Sequence, residues 1–244
     1  MNAALPHPGE ICNLFSGRVA GCYTAVMDAV LVPLTRSPRL PDYVRELSAL
    51  LQQEAAERCR FRDWLDEDKK AEFINGEIVV HSPAKLEHTE AQKLILKLLD
   101  TFVAVHQLGK VLHEKALIEL TRNDYEPDIC FWKPKKASRF TGKQMVFPPA
   151  DFIIEVLSPS TEQVDRGVKF EDYAAHDTAE YWLVDPVRRV IEQYRLAGNA
   201  FALHATCDAT STIESIVVTG FRMPVVAAFD SAANLTALRS ILAQ

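Results

Sequence analysis

"PADFIIEVLSPST" occupies residues 149–161, and its centre decides how the rest of the chain is read. From Phe152 to Leu157 the run is apolar on both alternating faces, with Phe152, Ile154 and Val156 on one and Ile153 and Leu157 on the other. A strand apolar on both sides is covered on both sides, as in the middle of a sheet with a layer above and below. Glu155 interrupts the second face. An unpartnered carboxylate there would cost several kcal/mol or give up its charge. It therefore needs a cation, a cluster of donors or a metal ion.

Working upstream, "PDICFW" (127–132) reads as a short strand opened by Asp128 just after Pro127. Between the two strands lies the basic loop "KPKKASRFTGKQ". Before them, "VLHEKALIEL" (111–120) is strand-like, and residues 85–106 carry His88, Ala91, Ile95, Leu98 and Phe102 on one helical face. "AEFINGEIVVHSP" sets Asn75-Gly76 between two short strand-like runs, a strong hairpin signal. Pro41 opens a helix to about Arg60, with Tyr43, Val44, Leu47, Leu50 and Leu51 at helical spacing. Downstream, Ser160 and Gln163 resemble a capping box, which predicts one helix running to about His176. "AEYWLVD" (179–185) and "VIEQYRL" (190–196) predict strands joined at Asp185-Pro186, and a last short helix falls near residues 235–242. The expected architecture is α/β (α+β): a mixed central β-sheet flanked by helices.

Composition narrows the function. The hydrophobic share is 48%, enough for a sizeable core, and the formal net charge is −6, which argues against a general nucleic-acid binder held by bulk charge. The five cysteines, at 12, 22, 59, 130 and 207, show no metal-ligand spacing, so reduced thiols in a cytoplasmic protein are expected. The apolar stretch at residues 20–34 carries Asp28 and is too short to span a bilayer. Proline-punctuated residues 1–40 are the least readable part, and Met27 is a second candidate start.

Asp128 and Glu155, on adjacent strands, are placed to lie side by side at one end of the sheet. Two carboxylates at close range repel unless a divalent cation sits between them. Taken singly, Asp128 capping a turn and Glu155 pairing with a lysine are equally good readings; taken together, the metal reading is better. Lys169 and Asp165 are either an i,i+4 surface ion pair or groups reaching back over the sheet end to Glu155, with Tyr173 on the same stripe. His88 reads as a core histidine and Glu77 as a hairpin residue, each with a site role as the alternative.

These residues together, namely Pro127-Asp128, "PADFIIEVLSPST", Asp165 with Lys169, and "AEYWLVDP", resemble the Uma-two family of the PD-(D/E)XK nuclease superfamily. "INGEIVVHSP" and the His88 helix fit it as well. The resemblance spans roughly residues 65–225 and implies a restriction-endonuclease-like core. It implies a metal-dependent DNA endonuclease, with Asp128, Glu155 and Lys169 catalytic and Mg2+ or Mn2+ held by Asp128, Glu155 and the backbone of Val156. The superfamily's usual lysine, two residues after the acid, is replaced here by Leu157, so Lys169 would be supplied from the next helix. His88, Asp165, Glu77 and Tyr173 become supporting groups. Lys133, Lys135, Lys136 and Arg139 are expected either to track a DNA backbone or to form a solvated loop. The expected division is an N-terminal extension, 1–60, with a helix at about 41–60, and a nuclease domain, 61–244. A homodimer through that helix would suit double-strand cleavage. The alternative function is a catalytically inactive nuclease-fold module that binds nucleic acid or a protein.

Overall fold

The computed structural model describes residues 31–66 and 68–243, so Cys12, Cys22, Met27 and most of the 20–34 run lie outside the described residues. The chain divides into two compact units, one through Gln52 and one from Gln53 onward. The first contains α1 (Leu31–Thr35) and the opening turns of α2 (Leu40–Trp64), on which Val44, Leu47, Leu50 and Leu51 are exposed. The described cysteines, Cys59, Cys130 and Cys207, are free thiols. Among the described residues no helix is long and apolar enough to cross a membrane.

In the second unit the Asn75-Gly76 turn folds as expected. Both residues have positive φ, 50° and 88°, as a type I′ turn requires, and β1 (Ala71–Ile74) pairs antiparallel with β2 (Glu77–Val80). α3 (Leu86–His106) follows and buries Ala91, Ile95, Leu98 and Phe102 along one face.

The run at 111–120 departs from the single strand expected. It forms β3 (Lys110–His113) and β4 (Leu117–Glu119), which belong to different sheets. Glu114 and Lys115 between them both take φ of 41°, a left-handed step that turns the chain from one sheet to the other. β5 (Asp124–Tyr125) and β6 (Ile129–Trp132) come next, then a short helix α4 (Pro134–Ala137) where a loop was expected, and β7 (Val146–Phe147).

β8 (Phe152–Val156) is buried along its whole length. It lies inside a six-stranded sheet that also contains β9 (Glu180–Asp185), β10 (Val190–Ala197) and β11 (Ala200–Asp208), in the order β11-β10-β9-β8-β6-β3. β8 and β9 are parallel and the other pairs antiparallel, so the sheet is mixed. Phe152, Ile154 and Val156 pack in one core with Ile95, Leu98 and Phe102 of α3. Ile153 and Leu157 pack in a second core with Tyr173 and Tyr181. Both faces are covered, as the apolar pattern required. A five-stranded sheet, β2-β1-β5-β4-β7, stands beside it.

The helix expected from Ser160 to His176 is instead two, α5 (Glu162–Asp165) and α6 (Val168–Ala175), and Thr161 rather than Ser160 is the N-cap. The break falls at Gly167, where a Cβ would lie 2.7 Å from the Gln163 carbonyl oxygen, so only glycine fits. The tail forms the small pair β12 (Thr212–Glu214) and β13 (Arg222–Pro224), then α7 (Ser231–Leu242).

Candidate active site

β6 and β8 run antiparallel with Ile129 opposite Ile154, so Asp128 falls next to Glu155 at the end of the pair. The two acids latch the strands reciprocally. The Asp128 amide donates to Glu155 Oε2 at 3.1 Å, and the Val156 amide donates to Asp128 Oδ2 at 2.8 Å. His88, in the first turn of α3, brings Nε2 to 3.4 Å from Asp128 Oδ1. One turn later the buried Gln92 donates to the Asp128 carbonyl at 3.0 Å.

α6 closes the other side of Glu155. Lys169 and Tyr173, four residues apart, both donate to Glu155 Oε1 at 3.1 Å. Lys169 also lies 3.3 Å from Asp165 Oδ1 and 2.9 Å from Oε1 of Glu72 on β1. Lys169 is 3% exposed and Asp165 2%, which excludes a surface ion pair between them. The ammonium hydrogen-bonds Glu155 and ion-pairs with Glu72 and Asp165, while Asp165 Oδ1 itself is buried without a hydrogen-bond donor.

Glu72 is the site residue that sequence reading missed. It is 1% exposed, accepts the Glu126 amide at 2.9 Å and faces His81 Nε2 at 3.3 Å. Glu77, the hairpin acid expected to support the site, is exposed on β2 beyond the turn, and the side chain near Lys169 is Glu72 instead. The basic segment lies away from the two acids. Lys133, Lys135, Lys136 and Arg139 follow the far end of β6, about 15 Å along the strand from Asp128. Lys136 there pairs with Asp151 at 2.9 Å and donates to the Pro149 carbonyl. Val156 contributes its amide to Asp128, which makes it part of the latch.

Three carboxylates, Glu72, Glu155 and Asp165, thus surround one lysine, with Asp128 latched to Glu155 and His81 and His88 at the edge. Burial and the neighbouring Asp165, Asp128 and Glu72 outweigh Lys169 and push Glu155 up to about 8. Burial also raises Asp165. Glu72 goes the other way: burial opposes its charge, but Lys169 and His81 bring it down to about 2. Asp128 is likewise lowered against its burial, by His88 and the Val156 amide, and burial resists the charge on His88 less than Asp128 favours it. Burial works against the Lys169 charge, but its three carboxylates hold its pKa well above the usual lysine range.

This donor set fits a hard divalent cation. The oxygens of Asp128 and Glu155 are carboxylate, the surrounding charge is in negative excess, and Mg2+ is commonly held by one or two carboxylates with water and phosphate completing its shell. Among the described residues no group of three or more His, Cys, Asp and Glu side chains is arranged to cage a metal, so the fit rests on that pair.

A solved structure from Anabaena variabilis ATCC 29413, described as a "putative nuclease belonging to DUF820", superposes with a TM-score of 0.59 at 17% identity. The match covers 73% of this chain and 96% of that one, and it shows a shared restriction-endonuclease-like fold. No curated protein matches. The sequence model of the Uma2 family, described as "Putative restriction endonuclease", matches residues 58–226. From the last turns of α2 to just past β13, this chain belongs to the Uma2 family.

Proposed function

We propose that the protein is a metal-dependent endonuclease that hydrolyses phosphodiester bonds in DNA, with Mg2+ or Mn2+ as its cofactor. The observation that carries this reading is the reciprocal latch of Asp128 and Glu155, closed over by Lys169. Asp128, held as an anion by the Val156 amide and His88, and Glu155 would bind the ion. When bound, such an ion polarises a phosphate and lowers the pKa of an attacking water.

The chain's own groups do the remaining work. Lys169 is fully protonated among its acids, so it acts as a donor and a positive charge rather than as a base. Glu72, held as an anion, keeps the ammonium in place. Asp165, raised by burial and farthest at 3.3 Å, its Oδ1 without a hydrogen bond, is the partner most readily exchanged for a phosphate oxygen. Tyr173 orients Glu155 through its O–H, and His88 orients Asp128.

The test is plasmid nicking by purified protein in Mg2+, Mn2+ or EDTA, beside Asp128→Ala, Glu155→Ala and Lys169→Ala. Cleavage that requires the metal and both acids is the expected result. A wild type that cuts neither duplex nor single-stranded substrate with either ion would replace this reading with the inactive binding module.

A further inference from the structure

The acidic cluster lies at the bottom of a cavity of about 820 Å3. Its floor, Glu72, Asp128, Glu155 and Asp165, would repel a polyanion. The hairpin wall has a different chemistry. Lys70 and His81 are neighbours across the open end of the β1–β2 hairpin, where the His81 amide donates to the Lys70 carbonyl at 3.1 Å. The chain then leads to Lys85, the N-cap position of α3. Lys70 and Lys85 both line the cavity, and among the described residues neither side chain has a hydrogen bond or an ion pair. Lys70 is half-buried, and its charge is felt by Glu126, Asp128 and His88.

A half-buried ammonium with no direct counter-ion, beside a crowd of carboxylates, is available to an incoming anion. The Ser158, Ser160 and Thr161 hydroxyls also line the cavity; Ser158 contacts each of the other two at 3.0 Å, and none carries a negative charge. Glu87 and Glu114 also reach the lining, so the two lysines are what let this wall accept a polyanion. The Lys133–Arg139 segment offers no such arrangement, being at the far end of β6.

We infer that Lys70 and Lys85 form a phosphate-binding pair that grips the sugar–phosphate backbone of a nucleic acid on the hairpin side of the cavity. This deepens the nuclease reading and rests on it. The contact is with phosphates alone, so it holds the strand without reading sequence.

The experiment uses the full chain carrying Glu155→Gln, to prevent cleavage, with fluorescein-labelled single-stranded and duplex oligonucleotides in Mg2+. Anisotropy gives affinity across a salt series. Adding Lys70→Ala should weaken binding about fivefold to tenfold near 0.1 M salt. It should also flatten the log–log salt slope by about 0.7 for a single strand or about 0.9 for a duplex. Lys85→Ala should add a similar, smaller loss. Lys70→Arg should retain both affinity and slope, which separates a charge effect from misfolding. Lys133→Ala with Lys135→Ala should stay within about twofold. Unchanged affinity and slope in Lys70→Ala, or a loss carried by Lys133 and Lys135, overturns the inference while leaving the nuclease reading intact. A Glu155→Gln parent that binds neither oligonucleotide overturns both.

Discussion

Two carboxylates on neighbouring strands of one sheet, Glu155 on β8 and Glu180 on β9, are equally hidden from water, at 3% and 0% exposure. Glu180 accepts from Trp182 Nε1 at 2.7 Å, Gln193 Nε2 at 2.6 Å, Ser215 Oγ at 2.6 Å and the Val217 amide at 2.9 Å. Every donor is neutral, and no acid competes for them. That shell ties β9, β10 and the 215–217 segment together, so Glu180 is a fastener. Glu155 shares its one cation with Glu72 and Asp165 and faces Asp128 across the strand pair. Burial alone therefore does not mark a functional acid. What separates the two is whether the surrounding groups satisfy the charge or multiply it.

The contrast is broken most directly by Glu155→Gln. It should lower metal-dependent nicking by roughly a thousandfold, about 4 kcal/mol in the barrier, while the protein remains folded. Retained cleavage would mean that Glu155 is as structural as Glu180. The complementary change, Glu180→Ala, removes four hydrogen bonds from the core and should cost about 3 kcal/mol or more in urea unfolding. A loss under about 1 kcal/mol would remove the distinction.

A pH series sharpens it. In EDTA the folded protein holds the Glu155 proton up to about 8, against an ordinary value of 4.5, so between those values the folded state binds more protons than the unfolded. The Glu155 contribution to stability therefore falls as pH rises through that window, with the full penalty above it. Thermal melts should show Glu155→Gln gaining on wild type from pH 5 to pH 8. Parallel curves would refute it. Glu72, lowered to about 2, has the opposite sign: its stabilisation is present above 4.5 and is lost as pH falls towards 2. The smallest effect expected is from Tyr173→Phe, which removes one donor from Glu155 and should cost about 1 kcal/mol with a modest loss of cleavage.

Much of this was legible in the sequence. Turn chemistry placed the hairpin at Asn75-Gly76, and two-sided apolarity placed β8 at the centre of a mixed sheet. The single strand expected at 111–120 failed because Glu114 and Lys115 take a conformation that neither residue type advertises. Glu72 was overlooked because it looks like one polar position in a half-exposed strand, as Glu77 does. Only the packing of the second sheet tells them apart, although the question asked of Glu155, a charge flanked by Phe73 and Ala71, applied to Glu72 as well. The distance of the basic segment from the acids was legible too: Lys133 follows the strand that Asp128 begins, so it lies at the opposite end of that strand.

The latch between Asp128 and Glu155 joins residues 27 apart in sequence, and it closes only when β6 and β8 have paired in the correct register. A slip of one residue would turn both acids to opposite faces. Lys169 arrives later still along the chain, and Glu72 comes from a separate sheet. A chain still emerging during synthesis therefore holds no assembled site: the cluster exists only once both sheets and the helix that carries Lys169 are in place.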